Sequence, residues 1–544
     1  MLYGQMMQDQ LTITKILQHA NRFHAGSQIV SKTSDDKIHR FRYDQFYRRV
    51  CQLANALVKA GVQSGDRIGT LAWNDHRHME IYYAASCIGA VCHTINPRLF
   101  DDQLTFIAND AEDKFLFFDP QFYGKVSELK DTFESIERYI VLSDAKPEAA
   151  DAQGVEVYED LIANEAESFN WPELDEKQAS ALCYTSGTTG NPKGVLFSHR
   201  STLIHALSVS GGDWLCVRQK DSILPVVPMF HANAWGIPYA ALMNGAKLVL
   251  PGYALDGPNL HTMLNEEQVT LMAGVPTVWL GLLEYLNRNN LTIDSVDRMM
   301  VGGSAAPMAI IREFEEKYDV RVMHGWGMTE LSPVGTLGAL KSHQANLPPE
   351  DRYQIQALQG RPLFGVDLRI VDEDGNIQPH DGKAIGALQV KGPWVVGSYY
   401  KDASPDSFTE DGWFETGDVA AIDPEGYLII TDRTKDVIKS GGEWISSIEL
   451  ENVAVGHPAV AEAACISIKH SKWGERPVVC VVLKEGADAD PEDIKAVYEG
   501  QVAKWCIPDE IILVDELPHT ATGKLSKLEL RRKFEGYSLK TDEA

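Results

Sequence analysis

The stretch Tyr184-Thr185-Ser186-Gly187-Thr188-Thr189-Gly190-Asn191-Pro192-Lys193-Gly194 packs four aliphatic hydroxyls, three glycines and one lysine into eleven positions. Glycines let backbone N–H groups close around phosphate oxygens, hydroxyls donate further hydrogen bonds, and a lysine supplies compensating charge. An apolar run, Ala181 to Tyr184, precedes these residues and predicts a strand that ends in a phosphate-binding loop. The residues that we expect to bind phosphate are Thr185, Ser186, Gly187, Thr188, Thr189, Gly190 and Lys193.

This phosphate loop differs from the P-loop of kinases and GTPases, whose pattern is a glycine, four residues and then Gly-Lys-Ser/Thr. Pro192 stands where that pattern needs its second glycine after Gly187. Kinase and GTPase chemistry therefore lose their main support in the sequence.

Short β-branched runs alternate with glycine or proline turns and helical stretches from about Leu11 to Asp432, which is typical of layered α/β folds. Two further predicted strands, Met299–Gly302 and Val320–Met323, run into loops of their own. Ligands collect at the carboxyl ends of strands in open α/β sheets, so we expect these loops and the phosphate loop to line one crevice. Shorter alternation between about Gln359 and Thr431 predicts a small β subdomain.

With 544 residues, 44% of them hydrophobic, the chain has enough apolar material for more than one globular unit. We predict an α/β fold in which residues 1–432 form a large N-terminal domain of layered α/β subdomains plus the small β subdomain. Residues 433–435 are the predicted hinge. Residues 436–544 are predicted to form a small, mobile α+β C-terminal domain.

The bulk composition restricts the partners. Lys and Arg total 50 against 77 Asp and Glu, and the formal charge of −27 disfavours nucleic acid and anionic membranes. The eight cysteines form no Cys-x-x-Cys pair, and no run approaches the roughly 18 apolar residues of a membrane span. We expect a cytoplasmic protein with small-molecule partners and no stable membrane insertion, and the sequence leaves a homodimer open.

The phosphate loop resembles the signature of the adenylate-forming superfamily, which comprises acyl-CoA synthetases, luciferases and the adenylation domains of peptide synthetases. The resemblance extends from about Leu11 to about Arg532, and it implies ATP, Mg²⁺ and coenzyme A as cofactor and cosubstrates. Gly303, Ser304, Ala305, Ala306 and Pro307 resemble the wall of the adenine pocket, where small side chains leave room for the ring.

The segment Gly325, Trp326, Gly327, Met328, Thr329 and Glu330 resembles the family element in which an aromatic ring packs on adenine and Thr329 contacts phosphate. Glu330 would help to hold Mg²⁺, because a carboxylate oxygen suits this hard ion as pyrophosphate leaves. Thr185 is the second expected metal contact. Trp413 to Asp418 resembles the Tyr/Phe-x-Thr-Gly-Asp element, whose aspartate accepts hydrogen bonds from ribose, and Arg433 resembles the arginine that also contacts ribose.

Pro518 to Lys524 resembles the family element Pro-x-Thr-x-x-Gly-Lys. Attack of a carboxylate on an α-phosphate brings two anions together, so a lysine that bridges their oxygens stabilises the developing charge. Lys524 is therefore the first catalytic candidate. Glu330, Thr185 and His231 are the others.

Lys435 resembles the hinge residue about which the C-terminal domain of this family rotates between two half-reactions. Gly441, Gly442, Glu443 and Trp444 resemble the loop that lines the pantetheine tunnel, since two glycines let a thin arm pass close to the backbone. Lys439 is a candidate contact for nucleotide or coenzyme A phosphate.

Pro228 to Gly236 resembles the segment that borders the acyl pocket. Amino-acid-activating relatives place an aspartate here to pair the substrate ammonium, because an unpaired buried charge is costly. His231 occupies that position and disfavours an amino acid, while Trp235 either shortens the pocket or is part of the core. The expected pocket residues are His231, Trp235, Gly302, Trp326 and Pro333.

The sequence as a whole resembles the medium-chain fatty-acid and 3-methylmercaptopropionate-CoA ligase branch. The predicted reaction converts a carboxylic acid and ATP into acyl-AMP and pyrophosphate, and then transfers the acyl group to coenzyme A with release of AMP. The alternatives are a carrier-protein loader, an oxygen-using luciferase, an aryl- or cinnamate-CoA ligase, and an inactive nucleotide-binding homologue.

Overall fold

The computed structural model describes residues 1–145, 154–185, 191–441, 443–484, 486–519 and 525–539. These residues form two compact units. The first contains Met1–Thr185, Pro192–Asp367 and Lys391–Phe408, and the second contains Leu368–Val390 and the described residues from Thr409 onward. Each unit has sheets of its own with helices packed on them, so the predicted α/β fold class is confirmed.

Strands and helices alternate along most of the chain. The strands of the described residues are β1 (Gln28–Lys32), β2 (Ile38–Arg42), β3 (Arg67–Leu71), β4 (Val91–Thr94), β5 (Asp113–Phe118), β6 (Arg138–Val141), β7 (Val155–Val157), β8 (Ala179–Tyr184), β9 (Gly194–Ser198), β10 (Ser222–Pro225), β11 (Lys247–Leu250), β12 (Leu271–Gly274), β13 (Arg298–Val301), β14 (Arg321–Gly327), β15 (Val334–Leu337), β16 (Arg361–Pro362), β17 (Asp367–Val371), β18 (Gly386–Lys391), β19 (Phe414–Ile422), β20 (Leu428–Arg433), β21 (Ile438–Ser440), β22 (Glu443–Ile445), β23 (Val460–His470), β24 (Gly474–Leu483) and β25 (Glu510–Leu513). The α-helices of the same residues are α1 (Ile13–Phe23), α2 (Tyr43–Lys59), α3 (His76–Cys87), α4 (Asp101–Ala111), α5 (Tyr123–Leu129), α6 (Tyr158–Ile162), α7 (His199–Val209), α8 (Ile237–Asn244), α9 (Gly257–Glu266), α10 (Pro276–Asn289), α11 (Met308–Tyr318), α12 (Pro349–Ala357), α13 (Ser447–Val455), α14 (Pro491–Ala496) and α15 (Lys527–Lys533).

A nine-stranded sheet in the order β16-β15-β14-β13-β12-β10-β11-β1-β2 forms one layer of the first unit. Its central strands pair in parallel, and β10, β12 and β13 are buried along their whole length. Strands covered by helices on both faces are largely apolar, as these are. Side chains of α9, α10 and α11 form the core on one face, with Trp279 fully buried in it.

A seven-stranded sheet in the order β7-β6-β5-β3-β4-β8-β9 forms the other layer of the first unit. Its pairs are parallel except for β8 and β9, which are antiparallel and are joined by the phosphate loop. Parallel strands present their carboxyl ends at one edge, and β8 therefore delivers the phosphate loop to the edge where a ligand is expected.

The second unit contains an antiparallel sheet in the order β17-β18-β19-β20, which is the small β subdomain that the sequence predicts. A five-stranded sheet in the order β22-β21-β24-β23, with β25 beside β24, carries α13, α14 and α15. The end of β20 contacts α13, because Ser446 Oγ donates to Thr431 O and Ser447 N–H donates to Asp432 Oδ2. Residues 433–435 are predicted as the hinge about which the C-terminal domain rotates, and this role stays a prediction.

Across the described ranges, the helices are too short or too polar to cross a lipid bilayer.

Candidate active site

The two ends of the phosphate loop are bonded to each other. The Thr185 N–H donates to Lys193 O at 2.9 Å, and the Lys193 N–H donates to Thr185 Oγ1 at 3.2 Å. These bonds extend the β8–β9 ladder and place the Thr185 hydroxyl beside the backbone of Lys193. The predicted phosphate contacts Ser186, Gly187, Thr188, Thr189 and Gly190 lie outside the described residues.

Glu330 is a buried carboxylate in a single helical turn, Thr329–Leu331, that follows β14. The Tyr399 hydroxyl donates to its Oε1 at 2.6 Å, and the Val396 N–H donates to its main-chain oxygen at 2.7 Å. Burial and the charge of Glu330 raise the pKa of Tyr399 well above its usual value, so the phenol keeps its proton and remains a donor.

The ammonium of Lys193 lies 4.9 Å from the centroid of the Tyr399 ring. A cation over an aromatic face is attracted to it, and Tyr399 therefore links the lysine of the phosphate loop to Glu330. No motif in the sequence marks Tyr399. The sequence reasoning missed it because its partner Glu330 lies 69 positions earlier in the chain.

The expected adenine wall follows β13, and the expected aromatic segment ends the neighbouring strand β14. Gly303 adopts a φ of 81°, and Ala306 is buried in the first unit's core. Strands β13 and β14 pair in parallel, so Gly303, Ser304, Ala305, Ala306 and Pro307 lie at the same sheet edge as Trp326. This edge is where the sequence places the adenine ring.

The structure differs from the sequence prediction at the end of β14. Gly325, Trp326 and Gly327 continue the strand instead of forming a loop, because they pair in antiparallel fashion with β15. A Cβ atom at position 327 would lie 2.1 Å from Pro333 O, so glycine is required there. The Met328 N–H also donates to Pro333 O at 3.0 Å, which brings two of the expected site segments together.

The expected acyl-pocket segment contains a left-handed turn. Ala232, Asn233, Ala234 and Trp235 have φ values of 40°, 53°, 49° and 56°. Left-handed backbone costs most side chains about 1–2 kcal/mol per residue, and asparagine tolerates it better than alanine or tryptophan. Strain of this kind is found at binding and catalytic sites, where the surrounding packing holds it.

This left-handed turn buries Trp235 against Gly302 at the end of β13. A Cβ atom at position 302 would lie 3.1 Å from Trp235 Cη2, so the glycine makes room for the indole. The same added atom would lie 3.3 Å from Gly325 O. Two of the five predicted pocket residues, Trp235 and Gly302, are therefore in contact, and Gly302 adjoins β14, the strand that carries Trp326.

Two histidines lie beside this segment. His231 precedes the left-handed turn, and its N–H donates to Pro228 O at 3.0 Å. The fully buried His205 accepts a hydrogen bond from the Val334 N–H at Nε2, at 3.2 Å, and burial lowers its pKa to about 3. A Cβ atom at position 236 would lie 2.7 Å from His205 Nδ1, which explains the glycine that ends the turn.

Asn74 fixes the backbone just before the left-handed turn. Its amide donates to Pro225 O and Val227 O, both at 2.9 Å, and its Oδ1 accepts from the Met229 N–H at 2.6 Å. Asn74 follows β3 of the seven-stranded sheet, whereas the segment that it holds follows β10 of the nine-stranded sheet. The sequence reasoning missed this residue, because no local pattern connects positions 155 residues apart.

The expected ribose contacts lie in the second unit. Asp418 on β19 is opposite Arg433 on β20, and Arg433 Nε donates to Asp418 Oδ1 at 2.7 Å. Asp418 is buried, while about half of the Arg433 side chain is exposed. The antiparallel register therefore brings together the two residues that the sequence assigns to ribose.

The expected coenzyme A segment begins at β21 in the second unit. The Lys439 ammonium pairs with Glu373 and lies 5.5 Å from the centroid of the Trp444 ring. The main-chain N–H of Lys439 donates to Glu475 Oε2 at 2.9 Å. Gly441 has a φ of 62°. Gly442 lies outside the described residues, Glu443 begins β22, and Lys435 follows β20 directly.

Lys524 lies outside the described residues, and Lys527 begins α15 just after it. The Lys527 ammonium pairs with Glu451 of α13 at 2.7 Å and donates to Ser447 Oγ at 2.5 Å. Burial raises the pKa of Asp432 and the pKa of Glu451, and the neighbouring Lys527 opposes both shifts. A buried cation therefore holds two buried carboxylates together near the predicted hinge.

Known proteins match this chain along most of its length. The model of the AMP-binding enzyme family matches residues 17–400, and that of the AMP-binding enzyme C-terminal domain matches residues 449–524. A 3-methylmercaptopropionyl-CoA ligase of Ruegeria lacuscaerulensis is 47% identical over 534 residues, which are 98% of this chain and 99% of that protein. A medium-chain-fatty-acid–CoA ligase of Ectopseudomonas oleovorans is 46% identical over 534 residues, or 98% of each chain.

A solved structure also resembles the chain. The O-succinylbenzoate coenzyme A synthetase of Bacillus subtilis, in complex with ATP and magnesium ion, superposes with a TM-score of 0.79. The two sequences are 26% identical, and the match covers 95% of this chain and 99% of the other.

Proposed function

Since the chain belongs to the AMP-binding enzyme family and is an AMP-forming acyl-CoA ligase, we propose that it activates 3-methylmercaptopropionate or a short- to medium-chain fatty acid. Family membership confirms the resemblance that the phosphate loop predicts, and ATP and coenzyme A are the cosubstrates. The observation that carries the choice of acid is the buried Trp235 indole, which lies against Gly302.

An indole at this position limits the length of an acyl chain. Trp235 fills space beside the edge of the sheet where the adenylate is expected, so a long chain would have to displace a ring that is only 5% exposed. A thioether and a methylene have similar volumes, and an apolar slot discriminates weakly between them. The proposal therefore includes both kinds of acid that the two ligases named above activate.

The proposed first step forms the acyl adenylate. A carboxylate oxygen of the acid attacks the α-phosphorus of ATP, the bond to the oxygen that bridges the α- and β-phosphates breaks, and pyrophosphate leaves. Lys524 would bridge the two anions as they approach each other. Thr185 and Lys193 would bind the departing phosphates through a hydroxyl and an ammonium.

Glu330 and Thr185 offer the carboxylate and hydroxyl oxygens that suit Mg²⁺, an ion that keeps substrate phosphates and water among its ligands. The hydrogen bond from Tyr399 supports this fit, since carboxylates that bind metals are usually fixed by an outer donor. When bound, the ion would neutralise charge on the leaving pyrophosphate.

The proposed second step forms the thioester. The thiolate of coenzyme A attacks the acyl carbon, and the bond between that carbon and the phosphate oxygen breaks to release AMP. Asp418 and Arg433 would hold the ribose of the adenylate through both steps. Rotation about Lys435 would then replace Lys524 by the face that carries Gly441 to Trp444, and Lys439 would exchange Glu373 for a phosphate.

The experiment that tests the proposed acid measures kcat/KM for acetate to decanoate, cinnamate and 3-methylmercaptopropionate, with identification of the product by mass. We expect the highest value for 3-methylmercaptopropionate or for an acid of short to medium length, and acyl-CoA as the product. In Trp235→Ala the ratio of kcat/KM for decanoate to kcat/KM for butanoate should rise about tenfold or more. The matched control is Trp505→Ala, whose side chain is exposed in the second unit.

An unchanged length profile in Trp235→Ala would contradict the acyl-pocket assignment. Highest activity with cinnamate would replace the proposed substrate by an aromatic acid. If acyl-AMP accumulates in the presence of coenzyme A but is consumed when a carrier protein is added, the acyl acceptor is the carrier protein instead of coenzyme A.

A further inference from the structure

The left-handed turn of residues 232–235 is held by the side chain of its own second residue. Asn233 is 4% exposed, and its amide bridges two elements of the first unit. Its Oδ1 accepts from Cys183 Sγ of β8 at 3.1 Å, and its Nδ2 donates to the Tyr239 hydroxyl of α8 at 3.2 Å. The turn is therefore bonded both to the strand before the phosphate loop and to the helix that follows the turn.

Cys183 completes this anchor from the other side. The Thr94 hydroxyl lies 3.2 Å from the Cys183 sulfur. Burial raises the pKa of the Cys183 thiol to about 12, so the group keeps its proton and donates it to Asn233 Oδ1. A thiol in this state serves the turn as a hydrogen-bond donor.

Asparagine suits the position for a second reason. Apart from glycine, asparagine adopts left-handed backbone more readily than most residues do. The same backbone conformation costs more free energy at the alanines and the tryptophan of this turn. The turn would relax toward ordinary backbone if its side-chain anchors were removed. Trp235 is the last residue of the left-handed run before Gly236, which has a φ of 75°, so any such relaxation moves the indole relative to Gly302.

We propose that Asn233 is a positioning residue for Trp235, and that its bonds to Cys183 and Tyr239 fix the length of acid that the enzyme accepts. This inference rests on the proposed function, because it requires the indole to close the acyl pocket. In this role Asn233 needs no contact with the acid. It acts by holding the backbone that aims the indole.

Asn233→Gly tests the proposal without a steric obstacle. Glycine tolerates left-handed backbone, but the variant loses both side-chain bonds and frees the turn. We expect the ratio of kcat/KM for decanoate to that for butanoate to rise about tenfold, with the KM for ATP changed less than about twofold. Tyr239→Phe removes one of the two bonds and leaves the ring in place, and its ratio should rise about threefold.

Asn244→Ala is the matched control, because Asn244 lies on α8 and bonds to Ser210 and Ala240 instead of the turn. Its decanoate-to-butanoate ratio should equal that of the wild type. The proposal is overturned if Asn233→Gly and Tyr239→Phe keep the wild-type ratio while Trp235→Ala changes it. If Trp235→Ala also keeps the ratio, the pocket assignment fails first. A loss of activity in proportion for every acid, with a raised KM for ATP, would assign Asn233 to general stability and contradict the positioning role.

Discussion

At the scale of single residues, the contact between Tyr399 and Glu330 connects the two halves of the expected pyrophosphate site. The phenol donates to the carboxylate at 2.6 Å, and its ring lies beneath the Lys193 ammonium. An outer donor that orients a metal-binding carboxylate typically contributes tenfold or more to metal affinity. Tyr399 thus helps to fix Glu330.

We expect Tyr399→Phe to raise the concentration of Mg²⁺ needed for half-maximal ATP–pyrophosphate exchange about tenfold, because the carboxylate loses its fixed orientation. The ring that faces Lys193 remains. Calorimetric titration of the protein with MgATP in the absence of acid provides a readout besides turnover, and affinity should fall in parallel. The matched control is Tyr400→Phe, the adjacent tyrosine. Wild-type Mg²⁺ dependence in Tyr399→Phe would contradict the positioning of Glu330 by this phenol.

The sequence points to candidate substrate contacts more readily than to the residues that support them. Thr185, Lys193 and Glu330 stand in short segments whose residue types follow from the chemistry of phosphate and metal binding. Tyr399 and Asn74 support those segments from distant parts of the chain. Their roles depend on which strands become neighbours, and one sequence does not contain that information.

At the scale of elements, α15 is attached to α13 and β20 by buried charges. Lys527 at the start of α15 pairs with Glu451 of α13, and Asp432 at the end of β20 accepts from the Ser447 N–H. Removal of one partner from a buried ionic group leaves the others without compensation, which typically costs about 3 kcal/mol or more. The cluster therefore ties the segment after Lys524 to the end of the β subdomain.

Lys527→Met should lower the free energy of unfolding of the second unit by about 3 kcal/mol near neutral pH, as measured by urea denaturation. Burial already raises the pKa of Asp432 and of Glu451, and loss of the cation raises both further. Both carboxyls then accept protons in the folded state as the pH falls. The loss of unfolding free energy in Lys527→Met relative to the wild type should therefore be smaller at about pH 5 than at about pH 8.

The matched control is Lys469→Met, which removes an exposed lysine of β23 in the same unit. It should change stability by less than about 0.5 kcal/mol. A deficit in Lys527→Met that is equal at both pH values would show that the buried carboxylates do not contribute to it.

Element boundaries show where local patterns stop being sufficient. The run that ends in Met323 predicts the core of β14, but the strand continues through Gly327 because β15 supplies partners for Gly325 and Trp326. Glycines usually interrupt strands, and here they are needed because other backbone approaches closely. The pairing is a tertiary effect, so the sequence predicts a loop where the structure has a strand.

At the scale of the whole molecule, the two compact units carry different parts of the expected chemistry. The first unit holds Thr185, Lys193, Glu330 and Trp235, the residues that are expected to serve phosphate and acid. The second holds Asp418, Arg433 and the coenzyme A segment. Alternation of strands and helices suffices to predict the α/β layers and the small β subdomain. Rotation about Lys435 relates two conformations of the chain, and it remains a prediction.

We propose that the chain forms an acyl adenylate and then a thioester, with Lys524 needed for the first step alone. The most direct measurement separates these half-reactions in the wild type and in Lys524→Ala. Acid-dependent ATP–pyrophosphate exchange reports the first, and conversion of supplied acyl-AMP and coenzyme A to acyl-CoA reports the second. We predict exchange in the wild type, its loss by about 100-fold or more in Lys524→Ala, and thioester formation within about threefold of wild type in both. Equal loss of both half-reactions in the variant would show that Lys524 does not act in the first step alone, and no acid-dependent exchange in the wild type would show that the chain forms no acyl adenylate.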